Sequence, residues 1–406
     1  MNALIPPGPE GLVWWLTALA SVGVTSVIPL FPLYASEQGA DLKMIGLMTA
    51  AFLVTNLLCL YGAGKLSDRV GRRPLMATGL LGFAFCSLGF LWLRSPWAFV
   101  TLRAIEGVAA ACFLPAALAY VADRYPAEER GVRIAQLAMA ENLGLLIGPV
   151  FGGVMAASFG LASLFASLAV MCGLGGVMVY NLPKDDVHVD PVAHQAKGPG
   201  HWHEVRAGML VGVATRALAG GFAFGMYQTI WPIYMQRLGA IPWDVSMSWT
   251  LFAVPSVLLA AFSGKIIDRR GPSRPAVLGA GFSAVVVGSY ALAPNVTSLL
   301  ALCLVEGIGF AFAYPAQNAL TIQAASPAMR GRVIGVVTAV KTAGALIGAL
   351  GTPWLYGISP LYSFGATSMV LLIGAVVLAL ALAWDHRRPT HPEPLAVAEP
   401  EPVAIP

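Results

Sequence analysis

Charge is what this sequence has least of. Asp, Glu, Lys and Arg make up 11% of its 406 residues, less than half of the roughly one quarter found in soluble domains, which excludes an ordinary water-soluble globule. Histidine is confined: His188, His194, His201, His203, His386 and His391 all fall in polar stretches, so no imidazole is available inside an apolar run. Cys59, Cys86, Cys112, Cys172 and Cys303 lie within apolar runs without paired spacing, which argues against a disulfide frame or a metal site and for small core residues. No nucleophile and base pair, metal spacing or phosphate loop is visible, so no enzyme chemistry, cofactor or nucleic-acid partner is expected. A basic n-region and a separate cleavage site are missing at the start, so the first apolar run reads as a retained span.

What is present is apolar length. The chain is 57% hydrophobic, with a mean hydropathy of +0.74. Runs long enough to cross about 30 Å of hydrocarbon, about 20 residues each, occur at 12–35, 44–64, 75–93, 97–123, 132–157 and 161–181, then at 207–235, 244–264, 276–294, 297–324, 333–357 and 361–384. The expectation is an all-α membrane protein with twelve spans. Of 24 Lys and Arg, eighteen fall in the loops of one side, three (Lys43, Arg94, Arg237) on the other and three within spans. The positive-inside rule therefore places the basic loops and both termini in the cytoplasm.

The chain is also duplicated. "GKLSDRVGRRP" from Gly64 returns as "GKIIDRRGPSRP" from Gly264, superposing Lys65 on Lys265, Asp68 on Asp268 and Arg69 on Arg269. "LFPLYASEQGA" at 30–40 matches "IWPIYMQRLGA" at 230–240, and "IEGVAAACFLPA" at 105–116 matches "VEGIGFAFAYPA" at 305–316. An offset of 200 throughout implies two homologous six-helix bundles, residues 1–181 and 207–384. Residues 182–206 read as a cytoplasmic linker, and the Pro-, Glu- and Ala-rich residues 385–406 as a disordered cytoplasmic tail.

Two such bundles related by an axis along the membrane normal form one plan of secondary transporters, and the major facilitator superfamily is its standing example. "GKLSDRVGRRP" resembles that superfamily's signature after the second span, "RAIEG" at Arg103 its motif in the fourth, and "GLLIGPVFGG" from Gly144 its fifth-span antiporter motif. The resemblance covers essentially the whole chain and is closest to the proton-coupled drug-efflux branch. It implies a latch in which Asp68 meets the start of the eleventh span and is held by Arg72, which also reaches Asp123, with Gly64, Arg69, Gly71 and Arg73 completing the loop. The second copy has Pro272 and Gln323 in place of Arg72 and Asp123, so its latch should be weaker. In the fifth span Gly144, Gly148 and Gly152 recur on one face, where they admit a close helix. Pro149 bends that span, and Gly153 completes the set. By resemblance, this span seals the outer face when the carrier opens inward.

Six charges lie well within spans: Arg103, Glu106, Glu141, Arg216, Glu306 and Lys341. Such charges are costly and usually face a partner or a cavity. Arg103 and Glu106 share a helix face and can pair. Glu306 has Cys303 at the position of Arg103, so it lacks a built-in cation and suits a group that gains and loses a proton; Glu106 and Glu141 are lesser candidates. Phe224, Tyr227, Gln228, Trp231, Tyr314, Gln317 and Asn318 are candidates to line a substrate cavity, and Trp14 and Trp15 to anchor an interface. The reading is a monomeric secondary transporter of the plasma membrane, a bacterial inner membrane, that exports amphipathic or lipophilic molecules against protons by alternating access, with small-molecule substrate, protons and membrane lipid as partners. The alternatives are a carrier or flippase for a specific solute, sugar or lipid-linked headgroup, and a transport-dead receptor.

Overall fold

In hydrocarbon every backbone polar group must be satisfied within the chain, which makes helices the available solution for these apolar runs. The computed structural model describes residues 9–125, 127–182 and 201–386. The tail from 387 and linker residues 183–200 lie outside the described residues. Fifteen α-helices follow in order: α1 Pro9–Val27, α2 Phe31–Glu37, α3 Leu42–Val70, α4 Arg72–Trp92, α5 Pro96–Arg124, α6 Ala127–Phe159 and α7 Ala162–Met178, then α8 Ala207–Tyr227, α9 Trp231–Arg237, α10 Pro242–Leu258, α11 Ala260–Arg270, α12 Ser273–Ser289, α13 Val296–Gln323, α14 Arg330–Ile358 and α15 Pro360–His386.

Ten of the described helices are long and apolar enough to span alone, and two bent pairs bring the count to twelve. The first span bends by 48° between α1 and α2, and the eighth by 50° between α10 and α11, just beyond Pro255. The seventh run, expected to be continuous over 207–235, also breaks, at residues 228–230. Pro32 and Pro232, in the first turns of α2 and α9, lack the N–H that a continuous helix requires. The turns inside the duplicated charged motifs depend on Gly71 (φ 93°) and Gly271 (φ 78°), a region that other residues occupy only with strain.

The packing is itself duplicated. α1 lies on α6 as α8 lies on α14, α3 on α5 as α10 on α13, and α4 on α7 as α12 on α15. Glycines make two of these seams. A Cβ on Gly144, Gly148 or Gly152 would come within 1.9–2.4 Å of Ser21, Thr25 or Ser26 of α1, and Thr25 Oγ1 donates to the Gly144 carbonyl at 2.6 Å. In the second half, Gly221, Gly225, Gly344 and Gly348 bring α8 and α14 into backbone contact, with the same construction leaving only 1.9–2.1 Å.

Between the halves, α3 packs on α14 and α6 on α10. Both contacts lie toward the face opposite the charged motifs, here the far face. Gly46 abuts Ala349 and Pro353, Gly153 abuts Trp243 and Ser246, and Lys43 Nζ sits 3.6 Å over the Trp354 ring. Toward the basic face the same spans expose Leu58, Tyr61, Leu258 and Phe262. The far face is shut and the basic face is open.

Trp14 differs from expectation: it is buried and its indole N–H donates to the Gln136 carbonyl at 2.9 Å, tying α1 to α6. Trp15 is exposed. All five cysteines are free.

Candidate functional site

The duplicated fourth and tenth spans, α5 and α13, carry Glu106 and Glu306 to equivalent buried positions, 2% and 6% exposed. Their surroundings differ. Arg103 Nη1 donates to Glu106 Oε2 at 2.6 Å, a pair three residues apart on one helix face. The Arg103 guanidinium also lies over the rings of Phe31 and Phe52, at 4.9 and 4.5 Å, where the ring quadrupoles favour a cation. Beside the pair is a cavity of about 40 Å³, lined by Val24, Val27, Ile28, Phe31, Thr49, Phe52, Phe83 and Leu168 of the first half and Gln228 of the second.

Glu306 is not without partners, as its lack of a matching arginine had suggested. The Tyr227 hydroxyl donates to its two oxygens at 2.9 and 2.7 Å, and the Tyr290 hydroxyl donates to Oε2 at 2.5 Å. These phenols replace the cation. Where the second half has Tyr227, Tyr290 and Cys303, the first has Val27, Phe90 and Arg103. The backbone frame is nonetheless shared: Tyr34 donates to the Phe90 carbonyl at 2.6 Å and Tyr234 to the Tyr290 carbonyl at 2.9 Å. Trp231 closes the site, its ring 4.7 Å from Tyr290 and 5.8 Å from Tyr227.

That position corrects the expected role of Trp231. It is buried, and its indole N–H donates to Ser248 Oγ at 2.9 Å, so in this arrangement it packs in the core and does not line the cavity. Tyr227 likewise serves Glu306. Of the other expected cavity residues, Gln228 does line the cavity at Arg103. Phe224 is partly exposed and edge-on to Trp249, Tyr314 stacks on Phe310 at 5.0 Å, Gln317 is half-buried and Asn318 exposed. The cavity draws mainly on the first half, on aliphatic and phenyl side chains whose sequence pattern is that of ordinary core.

The remaining intramembrane charges form no ion pair among the described residues, and Arg216 acts on Glu306 only through its charge. Arg216 is 7% exposed and keeps its Nε unpartnered. Glu141 is half-buried and Lys341 exposed, the latter 5.9 Å from the Tyr314 ring.

At the basic face Arg72 gathers three groups: Asp68 at 2.5 Å, Asp123 at 3.0 Å and Ser67 at 3.0 Å. Arg73 donates to the Tyr180 carbonyl, fastening α4 to the chain beyond α7. The Asp68 side chain remains 67% exposed, so the triad is assembled within the first half. Asp268 forms no ion pair among the described residues. Gly64, a motif glycine that can permit close approach at a helix end, has open space where a Cβ would stand, so no such approach is made in this arrangement.

Multidrug resistance protein MdtG of Proteus mirabilis is 28% identical over 357 residues, covering 84% of this chain and 87% of its own. The Staphyloferrin B transporter of Staphylococcus aureus is 25% identical, covering 84% of each. Among solved structures, a D-xylose-proton symporter superposes with a TM-score of 0.73 at 19% identity, over 90% of this chain and 96% of its own. The Major Facilitator Superfamily profile matches residues 13–240 and again 214–405. With two six-helix bundles, a multi-pass topology and that match over nearly its whole length, this chain belongs to the Major Facilitator Superfamily and is a transporter, not an enzyme.

Proposed function

We propose that this protein is a proton-coupled exporter of amphipathic or lipophilic small molecules, in which residues 1–181 rock against 207–384 and Glu306 carries the coupling proton. The observation that carries the reading is the Glu306 site: a buried carboxylate held by two phenols with no cation in ion-pair contact among the described residues. A carboxylate so placed changes its hydrogen bonds when it takes a proton, without first breaking a salt bridge. The lining beside Arg103 joins phenyl and aliphatic walls to one neutralised ion pair, the chemistry an amphipathic molecule needs, while its cavity of about 40 Å³ in this arrangement is far below the roughly 300 Å³ or more of a drug-sized site. The drug-resistance relatives favour the same class. In this reading the basic face is cytoplasmic, the far face is the outer one, and the protein works as a monomer in a bacterial inner membrane.

The test is transport into proteoliposomes under an imposed pH gradient with a panel of dyes, drugs, sugars and lipids. Glu306→Gln should abolish gradient-driven transport while leaving substrate exchange measurable. Full proton-driven accumulation by that variant would reject the assignment and move it to Glu106. A second reading, a carrier for a defined anionic solute, is favoured by Arg216, a buried cation without an ion pair. Saturable transport of one such solute, with the lipophilic panel inert, would establish it.

A further inference from the structure

At the break between α8 and α9, two consecutive residues address the two buried acids. Tyr227 ends α8 and hydrogen-bonds Glu306. Gln228, the next residue, is 9% exposed and lines the cavity that holds Arg103 and Glu106 in the opposite half. Its carboxamide has no hydrogen bond among the described residues, and Arg103, which lines the same cavity, keeps its buried Nε without one as well. The cavity has space for a bridging water. The equivalent residue in the first half, Ile28, lines the same cavity and is apolar. Around this break, Trp231 is fixed to Ser248 of α10, and α10 packs on α6 at the closed far face.

We propose that Tyr227 and Gln228 act as one link through which the proton state of Glu306 sets closure of the far face; the inference rests on the proton-carrying reading of Glu306. With Glu306 ionised, both its oxygens accept from the phenols and Gln228 is seated against Arg103 and Glu106. Protonation turns one carboxyl oxygen into a donor, loosens the hold on Tyr227 and withdraws Gln228 with the turn. The groups facing Glu306 are Tyr227 from α8, Tyr290 from the segment after α12, Cys303 on its own helix and the charge of Arg216. Those facing Glu106 are Arg103, with Cys86 of α4 and Cys172 of α7 near its charge. Gln228 is thus a positioning residue and carries no proton itself.

The experiment uses the full chain with Cys59→Ala and spin labels at Glu37→Cys and Gln236→Cys, exposed positions on α2 and α9 at the far face. Protons are the only ligand added. The label distance should titrate with pH. In Gln228→Leu the midpoint of opening should move upward by about one pH unit, roughly tenfold in proton affinity and within the usual range of site-to-site coupling. Glu106→Gln, which keeps a hydrogen-bonding partner for Arg103, should move it the same way and decides the matter if Gln228→Leu does not fold. Unchanged midpoints in both variants, with titration abolished in Glu306→Gln, would overturn the link and leave the role of Glu306 intact. A Glu306→Gln protein that titrates like the parent, or a parent insensitive to pH, would overturn both.

Discussion

Gly148 and Gly64 are both glycines of recognisable motifs, yet they differ by a whole neighbouring helix. Beside Gly148 a methyl group would collide with Thr25, and overpacking of this kind costs about 1–3 kcal/mol. Gly148→Ala should therefore lower thermal stability in detergent, measured as the midpoint of aggregation on heating, while Gly64→Ala leaves that midpoint unchanged. A transport defect in a normally stable Gly64→Ala would place its close approach in another conformation. At this scale the sequence was only partly legible. Arg103 and Glu106 announced their pairing by spacing. The phenols on Glu306 did not, because tyrosines in apolar runs read as packing. The signal that would have found them is the substitution of Tyr290 for Phe90 and Tyr227 for Val27 across the repeat.

Among the helices, length and apolarity foretold twelve spans, but not their breaks. The divisions at 28–30, 228–230 and Leu259 follow from local backbone chemistry at Pro32, Pro232 and Pro255 within otherwise apolar runs, which hydropathy does not register. Pro149 is a different case, since it stands inside an uninterrupted α6 one turn before Gly153 meets Trp243 and Ser246. The equivalent residue of α14 is Ala349, which packs against Gly46. If Pro149 bends α6 as its missing N–H predicts, Pro149→Ala should restore a backbone hydrogen bond, straighten the helix and draw Gly153 away from α10. Ser246 is fully buried at that seal. Its cysteine variant should therefore react several-fold faster with a water-soluble thiol reagent when combined with Pro149→Ala, measured by mass shift against time.

For the whole molecule, the arrangement shut at the far face leaves the basic-face triad without the partner that the family resemblance assigns to it on the eleventh span. In the opposite arrangement Asp68 would meet the start of α14, where the helix dipole favours an anion. Asp68→Asn removes that preference and should shift the population toward the far-face-closed form by about 1 kcal/mol, the differential interaction lost. Crosslinking between Lys43→Cys and Trp354→Cys by a bifunctional thiol reagent that spans the gap left by these two long side chains, whose ends meet in this form, should rise accordingly. An unchanged yield in folded protein would leave the charged loop with a topological role alone.

The glycine seams that join α1 to α6 and α8 to α14 have a wider consequence. They are made largely of main chain against main chain, and a peptide backbone has the same shape whatever side chains it bears elsewhere. The seams are therefore written in glycines, separately from the inward-facing residues such as those around Arg103. Cargo can change without the seams being rebuilt. That separation gives a physical reason why one architecture, at identities as low as 19%, is shared by proteins named for D-xylose, for staphyloferrin B and for multidrug resistance.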